Sequence, residues 1–170
     1  MSARMRHSIP ISLFLVAIII LTLLPVGLAF AAPTSTLDVR LSTTTPVVGS
    51  GDWAVIKVDY SCSSIYNTTC NDVVVSVPIP PELSQAVENV QVLDLSGDTD
   101  ATYSPTTATW TFTDDIAPGS AGTFTLMVRF PKGATPDGET ATLRASATST
   151  SAPPVTSKPL TLTATAEPRT

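Results

Sequence analysis

The chain has 170 residues, 43 % of them hydrophobic and 14 % charged, with 15 prolines and a formal net charge of −5. The apolar content excludes a disordered polyelectrolyte, and the prolines exclude a helical bundle, since each interior proline costs a helix about 3 kcal/mol. The acidic balance argues against nucleic acid as a partner, because neutralising phosphates needs clustered lysine and arginine.

The first element is an export signal. Arg4 and Arg6, with His7, give a short positive start. An apolar run follows from Ile9 to Leu24, then Pro25, Gly27 and the small-residue box Ala29-Phe30-Ala31. This is the layout of a secretory signal peptide over residues 1–31, cut after Ala31. The competing reading is a retained anchor, since residues 9–31 are long enough to span about 30 Å of hydrocarbon as a helix. Pro25 and the small residues favour cleavage. Either way the remainder is expected outside the cytoplasm, secreted or at the extracellular surface, with membrane contact only through residues 9–31 if uncleaved. Cleavage removes the only histidine and two of nine basic residues, leaving seven against fourteen acidic.

From Thr34 onward apolar residues recur with a period of two, which predicts half-buried strands. In chain order the inward sets are Leu37, Val39 and Leu41; Ala54, Ile56, Val58 and Tyr60; Val73, Val75, Val77 and Ile79. Then come Ala108, Trp110 and Phe112; Phe124, Leu126, Val128 and Phe130; Ala141, Leu143, Ala145 and Ala147; and Leu160, Leu162 and Ala164. Turn residues lie between the runs, at Gly49-Ser50-Gly51, Pro80-Pro81, Ser96-Gly97-Asp98, Pro118-Gly119-Ser120 and Pro136-Asp137-Gly138. No segment carries a helical apolar stripe. The expectation is an all-β, two-sheet antiparallel sandwich of immunoglobulin type with seven or eight strands over residues 32–166, then a frayed tail at 167–170.

Cys62 and Cys70 flank a seven-residue stretch, Ser63 to Thr69. In an exported chain this pair is read as a structural disulfide, closing a ring whose loop entropy is worth about 2.5 kcal/mol. Metal binding is the competitor, but two cysteines without histidine do not complete a zinc site, and the spacing is not that of a redox pair.

The order of these segments has a resemblance. Val55-Ile-Lys-Val-Asp59 is followed by a cysteine, then Asn71-Asp-Val-Val-Val-Ser-Val-Pro78 and Pro80-Pro-Glu-Leu83. Next come Ala108-Thr-Trp-Thr-Phe112, Ile116-Ala-Pro-Gly-Ser120, Thr123-Phe-Thr-Leu-Met-Val-Arg129 and Pro136-Asp-Gly138 before Ala141-Thr-Leu143. Over residues 36–150 this resembles the bacterial repeat family named domain of unknown function 11. The resemblance implies an immunoglobulin- or prealbumin-like sandwich of exported and cell-surface proteins, often in tandem. Two features depart from the family pattern. Ser76 and Val77 stand where an acidic residue and leucine usually precede the mid-domain proline, and Leu143-Arg144-Ala145 occupies a stretch that often carries asparagine.

Chemistry is sparse. Without histidine in the mature segment there is no Ser-His or Cys-His nucleophile pair. Asp114-Asp115 is the densest carboxylate pair, in turn-like sequence, so no enzyme is expected. Asp94, Asp98 and Asp100 are a weak calcium candidate; their plainer reading is a polar turn, lacking the glycine and glutamate of an EF-hand. No other cofactor is implied. Lys57 has the outward parity of Val55 and Asp59, which disfavours a buried Lys–Asn cross-link. Trp53 and Tyr66 are the candidate ligand-binding aromatics. Asn67-Thr68-Thr69 matches a glycosylation sequon. The sequence therefore points to an exported, non-catalytic structural or interaction module with an unknown protein or glycan partner at the cell surface. A carbohydrate-binding module using Trp53 and Tyr66 is the alternative.

Overall fold

The computed structural model describes residues 35–83 and 101–166, and the backbone of 90–96. The signal segment, Asp98, Asp100 and the 167–170 tail lie outside the described residues. No helix occurs among those described.

The described residues form twelve strand segments in order: β1 (Thr36–Thr43), β2 (Val47–Gly49), β3 (Trp53–Ser63), β4 (Val74–Ser76), β5 (Val90–Ser96) and β6 (Ala101–Ser104), then β7 (Thr109–Phe112), β8 (Ala121–Arg129), β9 (Thr140–Leu143), β10 (Ser146–Thr148), β11 (Val155–Thr156) and β12 (Leu160–Thr165). One layer is the antiparallel sheet β1-β3-β8-β5. Its spine is the β3–β8 ladder, from Trp53 opposite Arg129 to Ser61 opposite Ala121. The facing layer holds β11-β10-β4-β7-β6 and β2-β12-β9. Only Arg144 and Ala145 separate β9 from β10. At that break the Ser157 hydroxyl accepts the Ala145 N–H at 2.9 Å, while the Ser157 N–H donates to the Ala145 carbonyl at 2.8 Å. A side chain thus supplies a ladder bond where the backbone bends, and the two ladder pieces form one bent hairpin with β11 and β12. Among the described residues all strand pairs are antiparallel except β2 with β12. The molecule is an immunoglobulin-like sandwich.

The core follows the alternation. Val39, Ile56, Val58, Val75, Trp110, Phe124, Leu126, Val128, Leu143 and Leu162 are all buried, whereas Lys57, Thr111 and Thr142 on the opposite parity are exposed. At its centre Phe124 stacks on Trp110 at 4.8 Å and on Tyr60 at 4.9 Å, and lies 5.6 Å from Phe112.

Three sequence readings change. The Val73–Ile79 run forms only a three-residue strand, because Pro78 and Pro80 have no N–H for the ladder. Val73 and Val77 remain buried all the same. Asp94, read as part of a turn, lies in strand β5. That strand was hidden because its pairing with β8 shifts register between Val92 and Asp94, a bulge that breaks the alternation. The strand count exceeds seven or eight because the last hairpin is divided and β2, β6 and β11 are short.

Tyr103 of β6 pairs with Trp110 of β7, and its buried hydroxyl has no hydrogen-bond partner among the described residues. Burial raises its phenol above the ordinary value of 10.0. A proton held more tightly in the fold gives stability that is complete below pH 10 and is lost as pH rises through the raised value. The Tyr103→Phe variant should therefore gain about 1 kcal/mol near neutral pH. It should also lose stability less steeply than the parent above pH 10, as followed by urea unfolding. A loss of stability near neutral pH would show that the hydroxyl is paired.

Candidate functional site

The described residues come together most distinctively at one end of the sandwich. Strand β3 runs to Cys62, which is bridged to Cys70 with Cα atoms 6.0 Å apart. Both sulfurs belong to buried residues. Between them the chain turns at Ile65 and Tyr66. Ser64 organises this turn: its hydroxyl accepts the N–H groups of Tyr66 at 3.1 Å and Thr68 at 3.2 Å. Serine hydroxyls commonly bond backbone two residues on in this way. Asn67 takes the left-handed conformation at φ 57°, which asparagine tolerates better than most residues. Below the turn the buried Ser35 hydroxyl lies 3.1 Å from the Thr68 carbonyl and 2.9 Å from that of Thr69.

Two further loops are fastened to this one. Cys70 and Ile116 exchange both backbone hydrogen bonds at 2.9 Å, and the Gly119 N–H donates to the Cys62 carbonyl at 2.8 Å. On the other side the Asn71 N–H donates to Ser151 Oγ at 2.9 Å, and the Ser151 hydroxyl donates to the Thr69 carbonyl at 2.9 Å. Covalent closure and these bonds fix the loop, yet its two largest apolar side chains face solvent. Ile65 is 90 % exposed and Tyr66 69 %. A shallow depression of about 320 Å³ lies at the foot of the loop, lined by Tyr60, Asp114, Asp115, Ile116, Ala117 and Ser120.

The sequence candidates fall in different places. Tyr66 is on the tip. Trp53 is at the far end of β3, ten residues before Ser63, about 33 Å away at 3.3 Å per residue. Its ring is covered by the Arg129 guanidinium, 4.7 Å from the centroid. The two aromatics do not form one stacking platform, and Trp53 already has a cation on its face. Asp94 is held in β5, and Asp98 and Asp100 lie outside the described residues. Among the described residues no cluster of His, Cys, Asp or Glu is arranged to hold a metal. Asp114 and Asp115 are exposed beside the tip. Lys57 is exposed on the outer face, opposite Ser42 and Thr125 rather than an asparagine.

The outer face of β1, β3 and β8 carries an open groove of about 490 Å³. Its polar groups already engage one another: Arg40 Nε lies 2.7 Å from Asp38, and the Thr123 hydroxyl donates to Asp59 at 2.6 Å. Ile65 is the residue that sequence reading missed. Its signal was available, as an aliphatic residue next to tyrosine inside a disulfide ring too short to have a core.

No protein-family model matches the chain, and no curated protein matches it. Solved structures do. A variant of BcpA, the major pilin subunit of Bacillus cereus, aligns with a TM-score of 0.53 at 11 % identity, over 76 % of this chain and 40 % of the pilin. A CARDB domain from Pyrococcus furiosus, solved with two metal ions, gives 0.49 at 12 % identity, over 80 % and 98 % of the two chains. A Nocardia farcinica protein with an immunoglobulin-like fold gives 0.44 at 18 % identity, over 75 % and 97 %. At these identities the likeness is one of fold.

Proposed function

We propose that the chain is an exported, non-catalytic structural or interaction module of the extracellular space or cell surface. Its mature domain would begin at Ala32, after a signal peptide of residues 1–31. The observation that carries this reading is the disulfide loop. A covalent bond and a network of hydroxyls hold in place a segment whose two largest apolar side chains, Ile65 and Tyr66, face solvent. Disulfides persist in oxidising compartments, which agrees with the N-terminal signal. The resemblance to domain of unknown function 11 supports the same reading, as does the lack of histidine after residue 7. A surface protein is the better-supported partner, because the two candidate sugar-stacking aromatics are far apart.

Cell fractionation with intact-mass measurement tests this. The expected product lies outside the cytoplasm, lacks residues 1–31, and is two hydrogens lighter than its reduced form. Reducing the bridge should lower stability by about 2.5 kcal/mol in denaturant titration. A full-length cytoplasmic chain with two free thiols overturns the proposal.

A further inference from the structure

The tip and its surroundings have a definite electrostatic character. From Ser61 to Asn71 there is no charged residue. Three exposed carboxylates stand on the segments that adjoin the loop: Asp72 two residues after Cys70, and Asp114 and Asp115 just before Ile116, which pairs with Cys70. They sit on segments hydrogen-bonded to the disulfide loop through Cys70, Asn71 and Thr150. The stretches 61–72, 113–120 and 149–154 contain no lysine or arginine. An exposed apolar tip with carboxylates on the adjoining segments is thus the local pattern.

This pattern selects among partners. An anionic lipid surface or a polyanion is repelled by these carboxylates. A neutral glycan gains one aromatic and no second stacking face. A protein with an apolar pocket and a basic rim matches both parts. We infer that the Cys62–Cys70 tip docks into such a pocket. Ile65 and Tyr66 enter the pocket, and a lysine or arginine of the partner enters the depression beside Asp114 and Asp115. This rests on the reading of the chain as an interaction module. Rigid aromatic and aliphatic anchors are efficient here, because a preorganised loop loses little freedom on binding. The carboxylates contribute mainly rate and selectivity.

A phage-displayed library of random peptides, panned against the purified chain, tests the inference. Enriched peptides should combine an apolar cluster with lysine or arginine. Their binding should fall at least about thirtyfold on Tyr66→Ser or Ile65→Ser, the loss that defines an interface anchor. It should fall several-fold on Asp114→Asn with Asp115→Asn, and in high salt. Thermal midpoints should stay unchanged, since these side chains are exposed. Peptides without basic residues, binding indifferent to the tip variants, or no enrichment overturns the inference. So does Tyr66-dependent binding to phosphatidylglycerol vesicles or to a glycan array. None of these results moves the protein to another compartment, so the export reading fails or stands separately on the fractionation.

Discussion

Replacing Phe124 with alanine should lower the unfolding free energy by about 4 kcal/mol, near the upper end for buried aromatics. Phe124 is 2 % exposed and sits where the two layers meet. Its ring lies parallel to Trp110 within 2° and stacks on Tyr60 with 28° between planes. Removing it deletes three ring contacts and leaves a void between large, flat neighbours that do not collapse easily. Aromatic pairs carry about 0.5–1.5 kcal/mol beyond the area they bury. Since a domain of this kind has only about 5–15 kcal/mol in total, the variant should be near the edge of folding. Urea unfolding of the Phe124→Ala and Phe124→Leu variants checks this, the leucine variant falling between parent and alanine. A change under about 1 kcal/mol for alanine would mean that the rings do not pack as described. Exposed Thr111→Ala is the control, expected within about 0.5 kcal/mol of the parent.

Gly122→Val should cost about 3 kcal/mol, by crowding rather than by a void. Gly122 of β8 lies directly opposite Tyr60 of β3. A Cβ at this glycine would come within 2.5 Å of Tyr60 Cζ and 2.9 Å of its Cε1. The Tyr60 ring crosses the place where a side chain would stand, as aromatics do when they cover a strand glycine. It has nowhere to swing, because Phe112 meets it edge-on at 5.0 Å and Phe124 stacks on it. The diagnostic is a double-mutant cycle with Tyr60→Leu. The shorter side chain vacates the space, so the two losses should sum to clearly more than the double variant shows. Strict additivity would refute the contact.

Much of this architecture can be traced to particular residues. Ile56, Val58 and Tyr60 against Lys57 and Asp59 assign β3 and its inward face from alternation alone, and the burial agrees. The same holds for β8, from Phe124 to Val128. Strand β5 was not legible, because its bulge switches the apolar parity from Val92 to Leu95. β6 was too short to register as a run. The disulfide could be read from spacing and export signal. The site was half legible. Tyr66 could be named as a candidate from its place in the disulfide loop, and it is exposed. Its neighbour Ile65 was missed, since period-two reasoning finds what faces inward and has no rule for an aliphatic residue in a closed loop. The cation over Trp53 was not legible, because Arg129 is seventy-six residues away in sequence.

The direction of the outer strands has a mechanical consequence. β1 begins beside the disulfide end and runs away from it, antiparallel to β3. β12 runs the same way and closes next to Gly49 and Ser50, at the Trp53 end. Tension drawn through the domain therefore enters at one pole and leaves at the other. Ladder hydrogen bonds lie across the strands. A lengthwise pull strains the β1–β3 and β2–β12 bonds together, in shear, instead of unzipping them singly. The strand directions thus set the fold to resist a lengthwise pull rather than to peel open.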